Sequence, residues 1–193
     1  QTLTYDTTST VASGQLGTLK TVKDGNNNIT TFGNWKRGIP QAITHADSST
    51  QSAEVNDHGW IKWVMDENGH TTNYEYDVMG RLSRIQYPLN DTVAWLDTTS
   101  VFEPVAAAEY GIPAGHWRQT VSTGNARKVT YFDALWRPLL THEYDSSNTT
   151  GTMRASSTEY DSDGRVTFQS YPSSDLVPAA TGTWSFYDAL GRV

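Results

Sequence analysis

The sequence predicts an all-β fold built from repeated antiparallel hairpins. Three observations carry that reading. Thr is the commonest residue, with 27 copies, beside 10 Tyr and 7 Trp, a strand-favouring composition in which helix formers are sparse. Short segments alternate apolar and polar residues with a period of two, as half-buried strands require. One turn signature returns four times. Leu, Ile, Val and Phe total only 35 of 193 residues, a share at the edge of disorder. The 22 aromatic residues argue against disorder and place rings at the centre of burial.

The signature reads aromatic, Asp, two free residues, Gly, Arg, apolar. It occurs as Tyr76-Asp77-Val78-Met79-Gly80-Arg81-Leu82, as Phe132-Asp133-Ala134-Leu135-Trp136-Arg137-Pro138, as Tyr160-Asp161-Ser162-Asp163-Gly164-Arg165-Val166 and as Tyr187-Asp188-Ala189-Leu190-Gly191-Arg192-Val193. The last two intervals are 28 and 27 residues and the first, 56, is two such units, one of which has lost its signature. Chemically this is a strand end, a tight turn and a strand start. Asp accepts a hydrogen bond from the backbone two residues on, and Gly supplies the positive φ that closes a hairpin with a bulge.

Taken in order, Tyr5-Asp6 reads as the remnant of a signature, and Asp24-Gly25-Asn26-Asn27-Asn28 as a turn at the opposite end of a hairpin. The segment 32–38 keeps the aromatic Phe32 and Arg37 but has Gly33 in the Asp position. The segment 55–61 keeps Asn56 and Gly59 but has Trp60 in the Arg position. Spacings of 23 and 21 residues there indicate shorter hairpins. Asp66-Glu67-Asn68-Gly69 is an opposite turn, followed by alternating strands over 72–76 and 82–87, the second ended by Tyr87-Pro88 because Pro cannot donate to a ladder. Residues 98–116 break the pattern, and the placement of Pro104 and Gly111 predicts a short helix near 104–110. Ser146-Ser147-Asn148 is a further turn, Tyr171-Pro172 ends the strand over 166–171, and 171–182 reads as a longer loop. The chain thus reads as a single module over 1–193, with degenerate repeats over 1–97, an irregular insertion over 98–116 and well-formed repeats over 117–193.

Composition also excludes functions. There is no Cys, hence no disulfide, thiolate catalysis or Cys-ligated metal. A formal charge of −7 offers no basic face to a nucleic acid. No run approaches the ~20 apolar residues of a spanning helix, so membrane insertion is not expected. No nucleophile elbow, phosphate loop or dinucleotide fingerprint occurs, and no cofactor is expected. His45, His58, His70, His116 and His142 lack the spacing of a helical zinc site, and the Asp/Asn turns lack the distal Glu of a calcium loop, so no metal site is expected. Asn-x-Thr sites at Asn28, Asn90 and Asn148 matter only where a host glycosylates secreted proteins.

The Tyr-Asp-x-x-Gly-Arg-Leu signature at this spacing resembles the YD repeat of the Rhs proteins, bacterial toxin-complex C subunits and teneurins. The resemblance covers nearly the whole chain and is most specific over 117–193. It implies hairpins wound as a curved spiral β-sheet, part of a hollow shell that encloses a toxic C-terminal domain or other polypeptide cargo. The shell is structural, so the chain is expected not to be an enzyme. Family members release cargo with an aspartyl self-cleaving segment containing Asp-Pro, and no Asp-Pro occurs here. Because Val193 falls inside a signature, the chain is expected to be a fragment. Its implied partners are the remainder of its own polypeptide and secretion or toxin-complex proteins, and its implied location is secreted or at the cell surface.

Two readings compete for the marked residues. The pairs Asp77 and Arg81, Asp133 and Arg137, Asp161 and Arg165, Asp188 and Arg192 have the chemistry of catalytic acids and oxyanion clamps. A pair recurring once per unit is what a turn brace needs, whereas an active site is a unique constellation, so these residues are assigned to structure. The Trp residues support an alternative function, a cell-surface adhesion or carbohydrate-binding module in which Trp35, Trp60, Trp63 and Trp95 stack on sugar rings.

Overall fold

A computed structural model describes residues 1–8, 15–89 and 91–193; Asn90 lies outside the described residues. The chain forms two compact units, Gln1–Asp97 and Thr98–Val193. The first contains β1 (Thr2–Tyr5), β2 (Leu19–Lys23), β3 (Ile29–Gly33), β4 (Ala42–Thr44), β5 (Thr50–Val55), β6 (Ile61–Met65), β7 (Thr71–Tyr76) and β8 (Leu82–Gln86). Each strand pairs antiparallel with the next in chain order.

The second unit contains β9 (Thr98–Pro104), β10 (Trp117–Thr123), β11 (Ala126–Phe132), β12 (Pro138–Asp145), α1 (Thr149–Thr152), β13 (Arg154–Tyr160), β14 (Val166–Ser170) and β15 (Gly182–Trp184). It too is a meander of consecutive antiparallel pairs. The fold is all-β, with strands joined by the turns that the Asp, Asn and Gly clusters mark.

The register shifts by one residue at β1/β2, β5/β6, β7/β8, β11/β12 and β13/β14, each time where a signature begins. Tyr76 therefore faces Leu82 while Glu75 faces Arg84, leaving Ser83 unpaired as a bulge. Tyr160 and Val166 stand in the same relation. Each turn is thus a tight closure followed by an extra residue in the outgoing strand, which increases local twist.

Burial is thin and uneven. Among the described residues Val55 is the buried hydrophobic side chain of the first unit, and the others lie in the second. There Val129 faces His142 and Tyr131 faces Leu140 across β11/β12, so alternate residues of both strands fill one face. Ile112 completes this cluster from a covering segment.

That segment corrects an expectation. No helix forms near 104–110: Pro104 ends β9, and residues 105–116 fold back across the sheet. The backbone pair Glu109 and Ile112 closes a two-residue turn with Tyr110 at φ +51° and Gly111 at φ +81°. The Gly that looked like a helix stop instead supplies the left-handed position of a hairpin turn. The short helix is α1, where the Asn148 side chain accepts from Gly151 N–H. The 171–182 segment is a loop, as its composition indicates. It is tied down where Ser173 pairs with Ala155 and where His142 Nε2 donates to Leu176 O at 2.7 Å.

Candidate functional site

The repeated signature is the feature that recurs in both units, and its turn has one geometry. In the first copy Asp77 N–H donates to Arg81 O and Gly80 N–H to Asp77 O, both at 2.9 Å. The Asp77 side chain closes the rest: Oδ1 accepts from the backbone N–H of Met79 and of Arg81 at 2.9 Å each, and Oδ2 accepts from Arg81 Nε at 2.7 Å. Asp133 with Arg137, Asp161 with Arg165 and Asp188 with Arg192 repeat these bonds. One carboxylate thereby holds both the turn backbone and the arginine two positions past its apex.

The fifth position needs a positive φ. Gly80, Gly164 and Gly191 take it at +79°, +83° and +77°, and in the second copy Trp136 takes it at +63°. A side chain there is strained by about 1 kcal/mol or more. Trp136 is held by its ring contacts, 5.1 Å from Phe102 and 5.8 Å from Trp117 between centroids.

Donated hydrogen bonds keep these carboxylates ionised. Asp77 and Asp188 are held below the usual carboxylate range chiefly by the backbone N–H of Arg81 and Arg192, with the guanidinium adding to it. At Asp133 and Asp161 burial is the largest single influence and pushes upward. The backbone and side chain of the paired arginine together outweigh it, and both carboxyls are lowered. None of these acids is raised toward neutral pH as a general acid requires.

The same closure appears without the full signature. Asn56 Oδ1 accepts from His58 and Trp60 N–H, and Asp66 Oδ1 from Asn68 and His70 N–H, with His70 Nδ1 3.4 Å from Asp66 Oδ2. Asp24 holds Asn26 and Asn28 likewise. Sequence reasoning marked Tyr5-Asp6 as a remnant but missed the half that completes it. Asp6 N–H donates to Thr18 O at 2.8 Å and Gly17 N–H to Asp6 O at 2.7 Å, Thr8 N–H donates to Asp6 Oδ1, and Tyr5 faces Leu19. Tyr5-Asp6 and Gly17-Thr18-Leu19 are thus two halves of one signature separated by an insertion. The signal available was the Gly-x-apolar triplet just before β2.

Consecutive signatures are joined by a second pattern. Tyr76 Oη donates to Ile61 O at 2.9 Å, Tyr160 Oη to Pro138 O at 3.1 Å and Tyr187 Oη to Val166 O at 2.9 Å. Each acceptor is the apolar residue that ends the preceding signature. Trp35 makes the equivalent bond, Nε1 to Leu19 O at 3.0 Å. Over the same ring lies the residue in the Arg position of that earlier signature. Arg137 Cζ is 4.7 Å from the Tyr160 centroid and Arg165 Cζ 4.8 Å from that of Tyr187, within cation–π range. Where Trp60 replaces Arg, its ring lies 5.2 Å from that of Tyr76. Ahead of Phe132, where the signature is missing, Phe102 of β9 takes the place at 5.7 Å.

The four Trp residues of the sugar-stacking alternative are placed as follows. Trp35 and Trp60 belong to the joints just described, and His58 also stacks on Trp60 at 4.9 Å. Trp63 lies on β6, half-buried, and its Nε1 donates to Glu54 Oε2 at 2.9 Å. Trp95 is 52% exposed, with Nε1 donating to Asp91 Oδ2. Among the described residues no two of these four rings are in contact with each other. No group of three or more His, Asp or Glu among the described residues is placed to hold a metal ion, and no helix among them is long and apolar enough to cross a membrane.

The RHS repeat family matches residues 56–92, the stretch that contains the turns of Asn56, Asp66 and Asp77. That stretch is similar to an RHS repeat. No curated protein matches the chain. Among solved structures, a chain of the Photorhabdus luminescens Tc holotoxin pore, mutated in TccC3, is similar at a TM-score of 0.44 and 13% identity. That similarity covers 98% of this chain and 11% of that one. The matched stretch 56–92 includes the joint in which Trp60 covers Tyr76 and Ile61 accepts from its hydroxyl.

Proposed function

We propose that this RHS-repeat chain is a wall segment of a shell enclosing a toxin or other polypeptide, with no chemistry of its own. The observation that carries the reading is the joint between consecutive signatures. A cover over the signature ring recurs whether the covering residue is Arg, Trp or Phe, and where that ring is a tyrosine its hydroxyl donates to the carbonyl that ends the preceding signature. An arrangement repeated once per unit and tolerant of its chemistry serves continuity of a sheet, not a reaction at one point. The mechanism is compartmentation: paired strands keep the enclosed polypeptide from acting on its producer and from proteases. The signature aspartates and arginines brace the turns, and the partners are the rest of the same polypeptide and the secretion or toxin-complex proteins that deliver it outside the cell.

The test uses the native parent polypeptide under limited proteolysis. The enclosed region is expected to resist cleavage, and to become sensitive when Gly164→Val opens a signature turn. Equal sensitivity of that region in both proteins sinks the proposal, as does turnover of a substrate by the purified chain that one point mutation abolishes.

A further inference from the structure

The turn between β6 and β7 presents Asn68-Gly69 at an exposed tip. Asn followed by Gly is the pair most open to loss of the side-chain amide, because no Cβ on the second residue hinders ring closure, and Asn is a recognised thermolabile residue. The reaction needs the Gly69 backbone nitrogen to reach Asn68 Cγ. In this fold that nitrogen is engaged: Gly69 N–H donates to Asp66 O at 3.1 Å. Its two neighbours are held by the same residue, Asn68 N–H at 2.9 Å and His70 N–H at 2.8 Å, both to Asp66 Oδ1. Asp66 therefore fixes three successive amide groups, and Gly69 stands at φ +81° with open space around it. The Asn68 side-chain amide makes no hydrogen bond to a described residue, so the electrophile is exposed while the nucleophile is held.

We propose that Asn68 is a gated deamidation site, inert while Asp66 holds the turn and reactive once the turn opens. In the open state the deprotonated Gly69 nitrogen attacks Asn68 Cγ. The new C–N bond forms as the Cγ–Nδ2 bond breaks, and ammonia leaves with the proton that Gly69 gave up. Water then opens the cyclic imide at either carbonyl, giving Asp or isoaspartate. The isoaspartyl product carries an extra methylene in the turn backbone, so the closure made by Asp66 is not recovered. One opening event thus leaves a permanent mark on the β6/β7 hairpin.

The chain is incubated in mildly alkaline buffer, folded and in urea, and residues 66–70 are followed by peptide mass spectrometry. Conversion is expected at Asn68 in urea and to be at least about tenfold slower in the folded chain, since reaction then tracks the population of the open turn. Gly69→Ala in urea should suppress the conversion, which assigns it to this pair. Asp66→Ala, checked for strand content on the same sample, should react faster than the folded parent. Equal rates in folded and unfolded parent chain overturn the proposal, and so does a folded Asp66→Ala variant that reacts as slowly as the parent. If Asp66→Ala does not fold, the comparison of folded and unfolded parent chain decides alone.

Discussion

Gly80→Ala and Gly69→Ala place the same methyl group at nearly the same backbone angle, φ +79° and +81°, in different surroundings. At Gly69 the added carbon meets open space. The cost there is conformational: about 1–2 kcal/mol for an L residue in the left-handed region, less about 0.4–1 kcal/mol from the stiffer unfolded chain. The net is about 1 kcal/mol. At Gly80 the carbon would stand 2.5 Å from Trp60 Cζ2 and 3.1 Å from Cε2, and the rigid indole, packed by His58 and Tyr76, has little room to retreat. Overpacking adds about 1–3 kcal/mol, so Gly80→Ala should cost about 2–4 kcal/mol. Urea unfolding read by circular dichroism gives both values. Adding Trp60→Arg to Gly80→Ala should recover the difference, because the guanidiniums of Arg137 and Arg165 leave 3.5 Å or more above the matching glycines. Equal losses at the two glycines, or strict additivity of Trp60→Arg with Gly80→Ala, would refute the reasoning.

Three further outcomes are expected. Trp136→Gly relieves the strain at φ +63°, about 1 kcal/mol. It also removes ring contacts with Phe102 and Trp117 worth about 0.5–1.5 kcal/mol each and the buried area beneath them. The variant should lose about 1 kcal/mol, and a raised denaturation midpoint would show that strain outweighs packing. Tyr76→Phe deletes the hydroxyl that donates to Ile61 O and should cost about 1 kcal/mol; an unchanged urea midpoint would mean the stitch contributes nothing. Stability should also fall in acid. Asp77, Asp133, Asp161 and Asp188 are lowered in the fold, so their contribution is complete above the unfolded carboxyl value of about 4 and is lost as pH drops through the folded values. Asp161→Asn, which keeps an acceptor as Asn56 does, should flatten part of that acid limb, and an unaltered pH profile would count against the brace.

The signature turn was readable because all its bonds close within a few adjacent residues. Asp161, its two acceptor oxygens and the Gly164 backbone need no distant partner, so composition and spacing suffice to infer them. Strand alternation, hairpin order and the bulge followed from equally local chemistry. The helix expected near 104–110 failed for the same reason in reverse. Pro104 and Gly111 carry a local signal that suits either a helix or a hairpin turn, and the choice was made by packing: Ile112 gains a buried place against Val129, Tyr131 and Leu140.

What spacing could not reveal is which unit completes which. Arg137 is bonded to its own Asp133 yet lies over Tyr160 of the next signature, and Phe102 covers Phe132 from a strand with no signature at all. Asp6 finds Gly17 and Thr18 across an insertion. These contacts depend on strand register, which is settled collectively by ladders and ring packing over the sheet. A short run of residues determines its own turn, whereas the neighbour that turn will meet is decided only when the strands align.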